Sequence, residues 1–262
     1  VGETKHPQWG NRWRLIPCVE APGHLHMGLD AWLFEQHCTG LHPPTLRFYT
    51  WSPVAISLGY HQQRYPNTWH DLTWQGALVD VVRRPTGGRA VLHQGDLTYA
   101  VIASDLPTNR LAAYQQICEF LIEGWRSLGV SLHFGQAGRG YIHNPNCFGT
   151  ATGADLVLPD GTKLIGSAQL RRGAIALQHG SMRLATDSTF YQQVFGAGLE
   201  AGVPTPDALP LDFRRGDHWQ RVIDALTASA ERCFGIQLVP QPLSDQEWRT
   251  VSAISEAYKV SG

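Results

Sequence analysis

Cys147 is the residue of this chain whose type and setting most invite chemistry. It stands in Asn144-Pro145-Asn146-Cys147-Phe148-Gly149, within a glycine- and asparagine-rich stretch where packing gives a cysteine little to do. A free cysteine is more often a small buried hydrophobe than a nucleophile. Cys38 and Cys118 fit that bland role at expected core-facing helix positions, Cys233 ends an expected helix, and Cys18 carries no signal. Loops on a rigid scaffold gather catalytic groups, and a thiolate there needs a nearby cation or helix N-terminus. A second motif, Lys163-Leu164-Ile165-Gly166-Ser167-Ala168-Gln169, begins with a lysine that would ordinarily be a solvated edge residue. Three small residues then follow in a strand, and the space they leave suits a ligand or another backbone.

The third motif runs Arg83-Arg84-Pro85-Thr86-Gly87-Gly88-Arg89-Ala90-Val91-Leu92-His93. A Gly-Gly pair after a strand lets the backbone approach a ligand closely, and exposed amides there can hold an anion or a carbonyl oxygen. The flanking arginines would add charge-assisted donors. The competing reading, a tight turn with arginines on a solvated face, is the one composition alone favours. A phosphate-binding Walker loop is excluded, because no Gly-Lys-Ser/Thr follows. His93 and His179 lie beside these motifs as either hydrogen-bond donors or structural histidines. No His-x-x-x-His pair with a glutamate base occurs, so no metal site and no cofactor are expected.

The elements that must position these residues read as α+β. His24 to His37 patterns as a helix, stopped by Gly40 and Pro43-Pro44. Thr45 to Trp51 and Val54 to Tyr60 read as paired strands about a Ser52-Pro53 turn. Leu78 to Arg83 reads as a strand feeding the glycine loop, and Leu97 to Ala103 as another. Leu111 to Leu128 is an amphipathic helix with Leu111, Tyr114, Cys118, Leu121, Trp125 and Leu128 inward. Ala154 to Leu158 and Lys163 to Ala168 form a hairpin about Pro159-Asp160-Gly161, and Ala174 to His179 is a further strand. Pro204, Pro206 and Pro210 mark a linker-like stretch, followed by helices from Trp219 to Phe234 and from a capping box at Ser244 to Glu247. Strands in the middle and helices around them predict a mixed, largely antiparallel sheet flanked by helices.

Composition narrows the function classes. The 262 residues are 43% hydrophobic and 16% charged, which is globular. A net charge of −1 points neither to nucleic acid nor to an anionic membrane. No apolar run reaches the ~20 residues that span a bilayer, and no leader-like segment opens the sequence. Five scattered cysteines without a Cys-x-x-Cys pair argue against disulfides and for a reducing, cytoplasmic setting.

Taken together and in order, the motifs resemble the lipoate–protein ligase and octanoyltransferase family, whose core is similar to that of biotin protein ligase. The likeness runs from Trp13-Arg14-Leu15 through Met27-Gly28-Leu29-Asp30, Pro43 to Tyr49 and Ser57 to Gln62 to the three motifs, and ends at Gln178-His179-Gly180-Ser181. Arg89 after the glycine pair, Asp96-Leu97-Thr98-Tyr99, and a Cys-Phe before the lysine hairpin look most like the cysteine-dependent octanoyltransferases. The resemblance implies a biotin/lipoyl protein ligase-like catalytic fold over residues 13–200, with a helical extension over 201–262. It implies transfer of octanoyl from acyl carrier protein, through a thioester on Cys147, to a lysine of an apo lipoyl domain such as the glycine-cleavage H protein. Lys163 would be the charged partner of Cys147. Arg84, Thr86, Gly87, Gly88, Arg89, Ala90, His93, Gly166, Ser167, Ala168 and His179 would bind substrate, and Arg139, Arg171 and Arg172 would receive an acidic carrier. ATP-dependent ligation of lipoate or octanoate, amidotransfer between lipoyl domains, and non-catalytic acyl binding remain open at this point.

Overall fold

The strand-forming residues along the middle of the chain assemble into an eight-stranded sheet with helices on both faces. The computed structural model describes residues 10–135, 153–196, 209–213 and 216–261. The first half comprises β1 (Arg12–Ala21), α1 (Gly23–Cys38), β2 (Thr45–Trp51), β3 (Ala55–Leu58), β4 (Thr73–Trp74), β5 (Ala77–Leu78), β6 (Asp80–Arg83), β7 (Val91–His93) and β8 (Asp96–Ala103). There follow α2 (Arg110–Ser127), β9 (His133–Phe134), β10 (Leu156–Val157), β11 (Lys163–Arg172), β12 (Ile175–Arg183), α3 (Ser188–Phe195), α4 (Gly216–Phe234), β13 (Gln237–Pro240) and α5 (Asp245–Ser255). The large sheet runs β13-β1-β2-β8-β12-β11-β10-β9. Its β13/β1 and β1/β2 pairings are parallel and the rest antiparallel, the mixed and largely antiparallel arrangement expected.

Alternation along the central strand β8 explains why both faces are covered. Leu97, Tyr99, Val101 and Ala103 point into one core, shared with Ile117, Phe120, Leu121 and Trp125 of α2 and Val222 and Leu226 of α4. Ala100 and Ile102 point the other way, onto Leu29, Leu33 and Phe34 of α1 and Val251 of α5. The glycine loop belongs to a separate three-stranded sheet, β6-β3-β7. Because β6 and β7 lie on either side of β3, the loop joining them arches over the chain as it leaves β3. Arg84 N donates to Leu58 O at 3.0 Å and Tyr60 N to Thr86 O at 2.8 Å.

The structure corrects several expectations. β3 does not pair with β2; it pairs with β6 and β7, and all four of its residues are buried. The Leu78–Arg83 strand is split: Leu78 is 63% exposed in a hairpin of β4 and β5, and the strand proper starts at Asp80. Leu111 is 48% exposed rather than inward, because the N-cap Asn109 starts the helix one residue before it and Ala113, Ile117 and Phe120 complete the buried face. Two strands of four or more residues went unread in the sequence, beside the shorter β4, β7 and β9. β1 carries Pro17 at a register shift between Ile16 and Val19, which hides its alternation. Its Arg14 is 2% exposed, with donors taken by Gln241 O, Pro242 O and Glu247. β13 adds to the sheet edge beside it, so the C-terminal segment contributes a strand as well as helices. The boundary expected at 200/201 lies outside the described residues. No helix among the described residues is long and apolar enough to cross a membrane.

Candidate functional site

A cleft of about 220 Å³ opens between the glycine loop and the middle of β11 and β12. The Gly166-Ser167-Ala168 run and Gly180 leave the space. A side chain at position 180 would place its Cβ 2.5 Å from Ser167 Oγ and 2.6 Å from the Tyr99 ring. Met27, Tyr49, Trp51 and Val91 give the cleft apolar wall, and the exposed Arg110 stands on its lining at the start of α2. Lys163 is also in the wall. It is 3% exposed, and its Nζ pairs with Asp155 Oδ1 at 2.9 Å. Sequence reasoning missed Asp155, since an acid opening a hairpin looks solvated. Buried charges are tolerated when paired, so this cation is held in place by its partner rather than by solvent.

The glycine loop is held by backbone contacts. Arg84 is 5% exposed and spends its guanidinium on the oxygens of Ser57, Gly87 and Arg89, at 2.7–3.2 Å. Arg83 donates to Gly59 O and Gln62 O at 3.0 and 2.7 Å. These arginines therefore fasten the loop's own carbonyls rather than forming an open anion patch. Gly88 has φ +99°, a conformation that glycine takes without strain.

Behind the loop lies a buried polar network. Asp30 of α1 accepts from Arg47 Nη1 at 2.9 Å, Tyr49 OH at 2.9 Å and His179 Nδ1 at 2.7 Å. With its Nδ1 proton given to a carboxylate, His179 Nε2 accepts from Thr86 Oγ1 at 2.6 Å. Helix α1, the sheet and the loop are thus tied together by one chain of hydrogen bonds. Burial pushes the Asp30 carboxyl up, but Arg47 and the donors from His179 and Tyr49 outweigh it and hold it below its ordinary value. A second chain runs from Asp96 to His93 Nδ1 at 2.8 Å, and from His93 Nε2 to Ser57 Oγ at 2.8 Å. Thr98 and Ser181 also donate to Asp96, at 3.2 and 2.6 Å. Burial lowers the pKa of His93 despite Asp96, which leaves the ring neutral at neutral pH.

The profile of the lipoyl protein ligase A/B catalytic domain matches residues 22–204. Octanoyltransferase LipM of Symbiobacterium thermophilum is 33% identical over 94% of this chain and 94% of its own. Octanoyltransferase LipM of Geobacillus kaustophilus is 36% identical, again over 94% of each. The chain belongs to the lipoyl protein ligase A/B catalytic domain family. Solved structures carry the same fold. A lipoate-protein ligase A bound with ATP superposes with a TM-score of 0.75 at 20% identity, covering 94% of both chains. A bi-partite lipoate protein ligase from Thermoplasma acidophilum gives 0.72 at 19%, covering 94% of this chain and 92% of that one.

Against the family's expected site, Arg84, Gly87, Gly88, His93, Lys163, Gly166, Ser167, Ala168 and His179 all line the cleft. Thr86 stands behind it on His179, and Ala90 is buried in the core under the small sheet. Arg89 is absent from the lining and offers its carbonyl to Arg84. Cys147 and Arg139 lie outside the described residues. Among the described cysteines, burial pushes Cys118 up to about 12 and raises Cys38, so neither offers a thiolate at neutral pH. Two of the expected carrier-docking arginines are already engaged: Arg172 is paired with Glu35 at 2.7 and 2.9 Å, and Arg171 donates to Pro107 O at 2.7 Å.

Proposed function

We propose that this protein is an octanoyltransferase that works through a thioester on Cys147. Acyl carrier protein supplies the octanoyl group, and a lysine of an apo lipoyl domain, such as the glycine-cleavage H protein, receives it. The observation that carries this reading is the buried Lys163–Asp155 pair in the wall of a cleft with apolar walls, in a chain whose relatives are named octanoyltransferases. An apolar cavity of roughly 150 Å³ takes a benzene-sized ligand. A cleft of about 220 Å³ is therefore of the right order for an eight-carbon chain. In the first step the Cys147 thiolate attacks the donor thioester, a new C–S bond forms, and the carrier's thiol leaves. In the second, the acceptor amine attacks and Cys147 leaves. Lys163 would stabilise the thiolate and the developing oxyanion. Arg110 has no hydrogen-bond or ion-pair partner among the described residues, and it supports carrier docking at that rim.

Intact-mass measurement after mixing with octanoyl-carrier protein should show one octanoyl unit on the wild type and none on Cys147→Ala. Equal acylation of both, or of neither, would refute the thioester. If the apo H protein is instead modified from free octanoate and ATP, insensitively to Cys147→Ser, the protein is a ligase.

The loop itself offers another measurable consequence. An added Cβ at Gly59 would lie 1.9 Å from Gly88 O, a backbone atom that must then move. Displacement of about 1 Å near reacting atoms costs on the order of 10²-fold in rate. Gly59→Ala should lower octanoyl transfer by that order, more than its overpacking cost of about 1–3 kcal/mol in stability explains when assayed well below the melting temperature; unchanged kinetics would mean that the loop's position is immaterial.

A further inference from the structure

We propose that Ser57, backed by His93 and Asp96, relays the proton of the acyl-transfer step, a role that rests on the octanoyltransferase reading above. Ser57 and His93 both line the cleft. Ser57 Oγ meets His93 Nε2 at 2.8 Å and His93 Nδ1 meets Asp96 Oδ2 at 2.8 Å. A carboxylate accepts only, so the Nδ1 proton belongs to the histidine and Nε2 is free to take one from the hydroxyl. Two features favour the imidazolium that would form, against the burial that lowers the His93 pKa. Asp96 is fixed by Thr98 and Ser181. The Trp51 ring stacks on His93 at 3.7 Å and 14°. Arg84 Nη1 reaches Ser57 Oγ at 3.2 Å and makes the hydroxyl a readier proton donor.

The relay lines the same cleft as Lys163. Asp96 on β8 is in register with Arg183 on β12, and Arg183 Nη2 donates to Lys163 O on β11 at 2.7 Å. Strand β11 pairs with β12 with Ile165 opposite Met182, and β12 pairs with β8 with Arg183 opposite Asp96, so the Lys163 and Asp96 ends of β11 and β8 are two strand spacings apart, about 10 Å. Lys163 and the Ser57–His93 pair line the same cleft, which thus carries a cation and a neutral base on different strands. The balance of the step is closed. The unprotonated lysine amine of the acceptor attacks the octanoyl carbonyl, the C–N bond forms, and the C–S bond to Cys147 breaks. One amine proton passes to Ser57 Oγ as the Ser57 proton passes to His93 Nε2. The same pair returns a proton to the departing sulfur. Ser57 is the group that touches the amine; His93 and Asp96 act through it.

Single-turnover release from isolated octanoyl-enzyme tests this. Two acceptors are compared: an apo lipoyl domain, and hydroxylamine, whose less basic nitrogen sheds its proton to water unaided. In Ser57→Ala and in His93→Gln the ratio of lysine transfer to hydroxylamine release should fall on the order of 10²-fold. Ser57→Thr, which keeps the hydroxyl, should restore it. A fall of both rates by the same factor, or an unchanged ratio, overturns the relay. A wild type that never carries octanoyl on Cys147 sinks the octanoyltransferase reading and the relay with it, whereas an acylated wild type with an unchanged ratio in the variants sinks the relay alone.

Discussion

Replacing Lys163 with methionine should damage stability and chemistry together, and the two losses should separate in a second variant. Methionine keeps the apolar stem but removes the ammonium that pairs with Asp155, which is 3% exposed. Breaking a buried ion pair from one side typically costs about 3–5 kcal/mol. Losing a fixed positive charge beside a developing oxyanion costs on the order of 10²–10³ in rate. The double variant Asp155→Leu/Lys163→Met replaces the pair with apolar side chains, an exchange that is often neutral or stabilising. Urea denaturation should therefore show stability lost in Lys163→Met and largely recovered in the double variant. The rate of Cys147 acylation, read by mass, should stay low in both. Acylation that recovers with stability would make Lys163 a structural residue and remove it from the mechanism.

What the sequence made legible follows from the range of the interactions involved. The glycine loop and the Gly166-Ser167-Ala168 strand announce themselves locally, because absent side chains mean space wherever the chain folds. The helices α1, α2, α4 and α5 were legible for the same reason, since the apolar periodicity and the Ser244–Glu247 capping box sit within a few turns. β1 and β13 were not, because a proline at a bulge and a four-residue length erase the period of two. Asp30 carried a readable signal: a carboxylate amid the broad apolar face of α1 must be paired. Its partners Arg47, Tyr49 and His179 come from other strands, however, and one sequence holds no record of which distant residues meet. Ser57, His93 and Asp96 posed the same difficulty. The hydroxyl reads as an ordinary strand residue until β3 and β7 pair. The pairing of β3 itself was misassigned because a short run buried on both faces has no alternation to reveal its neighbour.

Acid should unfold this protein in two stages, and His26 should set much of the first. Its ring lies at the centre of the network: Nδ1 accepts from Arg47 Nη2 at 2.8 Å, and Nε2 donates to Thr50 O at 2.9 Å. Both bonds require the neutral ring. Burial first, and then the Arg47 cation, lower its pKa from 6.5 to about 3, against smaller opposing effects from Thr50 and Asp30. The folded protein thus refuses a proton that the unfolded chain accepts near 6.5. Stability from this group is fully present above that value and is lost as pH falls towards about 3. The loss runs at about 1.4 kcal/mol per pH unit, or roughly 3 kcal/mol by pH 4.5. Asp30, held below its ordinary 3.8, contributes stability present above that value and lost as pH falls through its lower folded value, which is the second stage. His26→Gln separates the two. Glutamine can accept from Arg47 and donate to Thr50 without titrating, although it gives up the ring contact with Tyr49, at 4.3 Å between centroids. Its denaturation free energy should start below the wild type at neutral pH. It should then fall less steeply, by about one proton's worth, between pH 6.5 and about 4, so that the two curves converge. Curves that stay parallel over that interval would show that His26 takes up its proton in the folded state, and that Arg47 does not depend on a neutral ring.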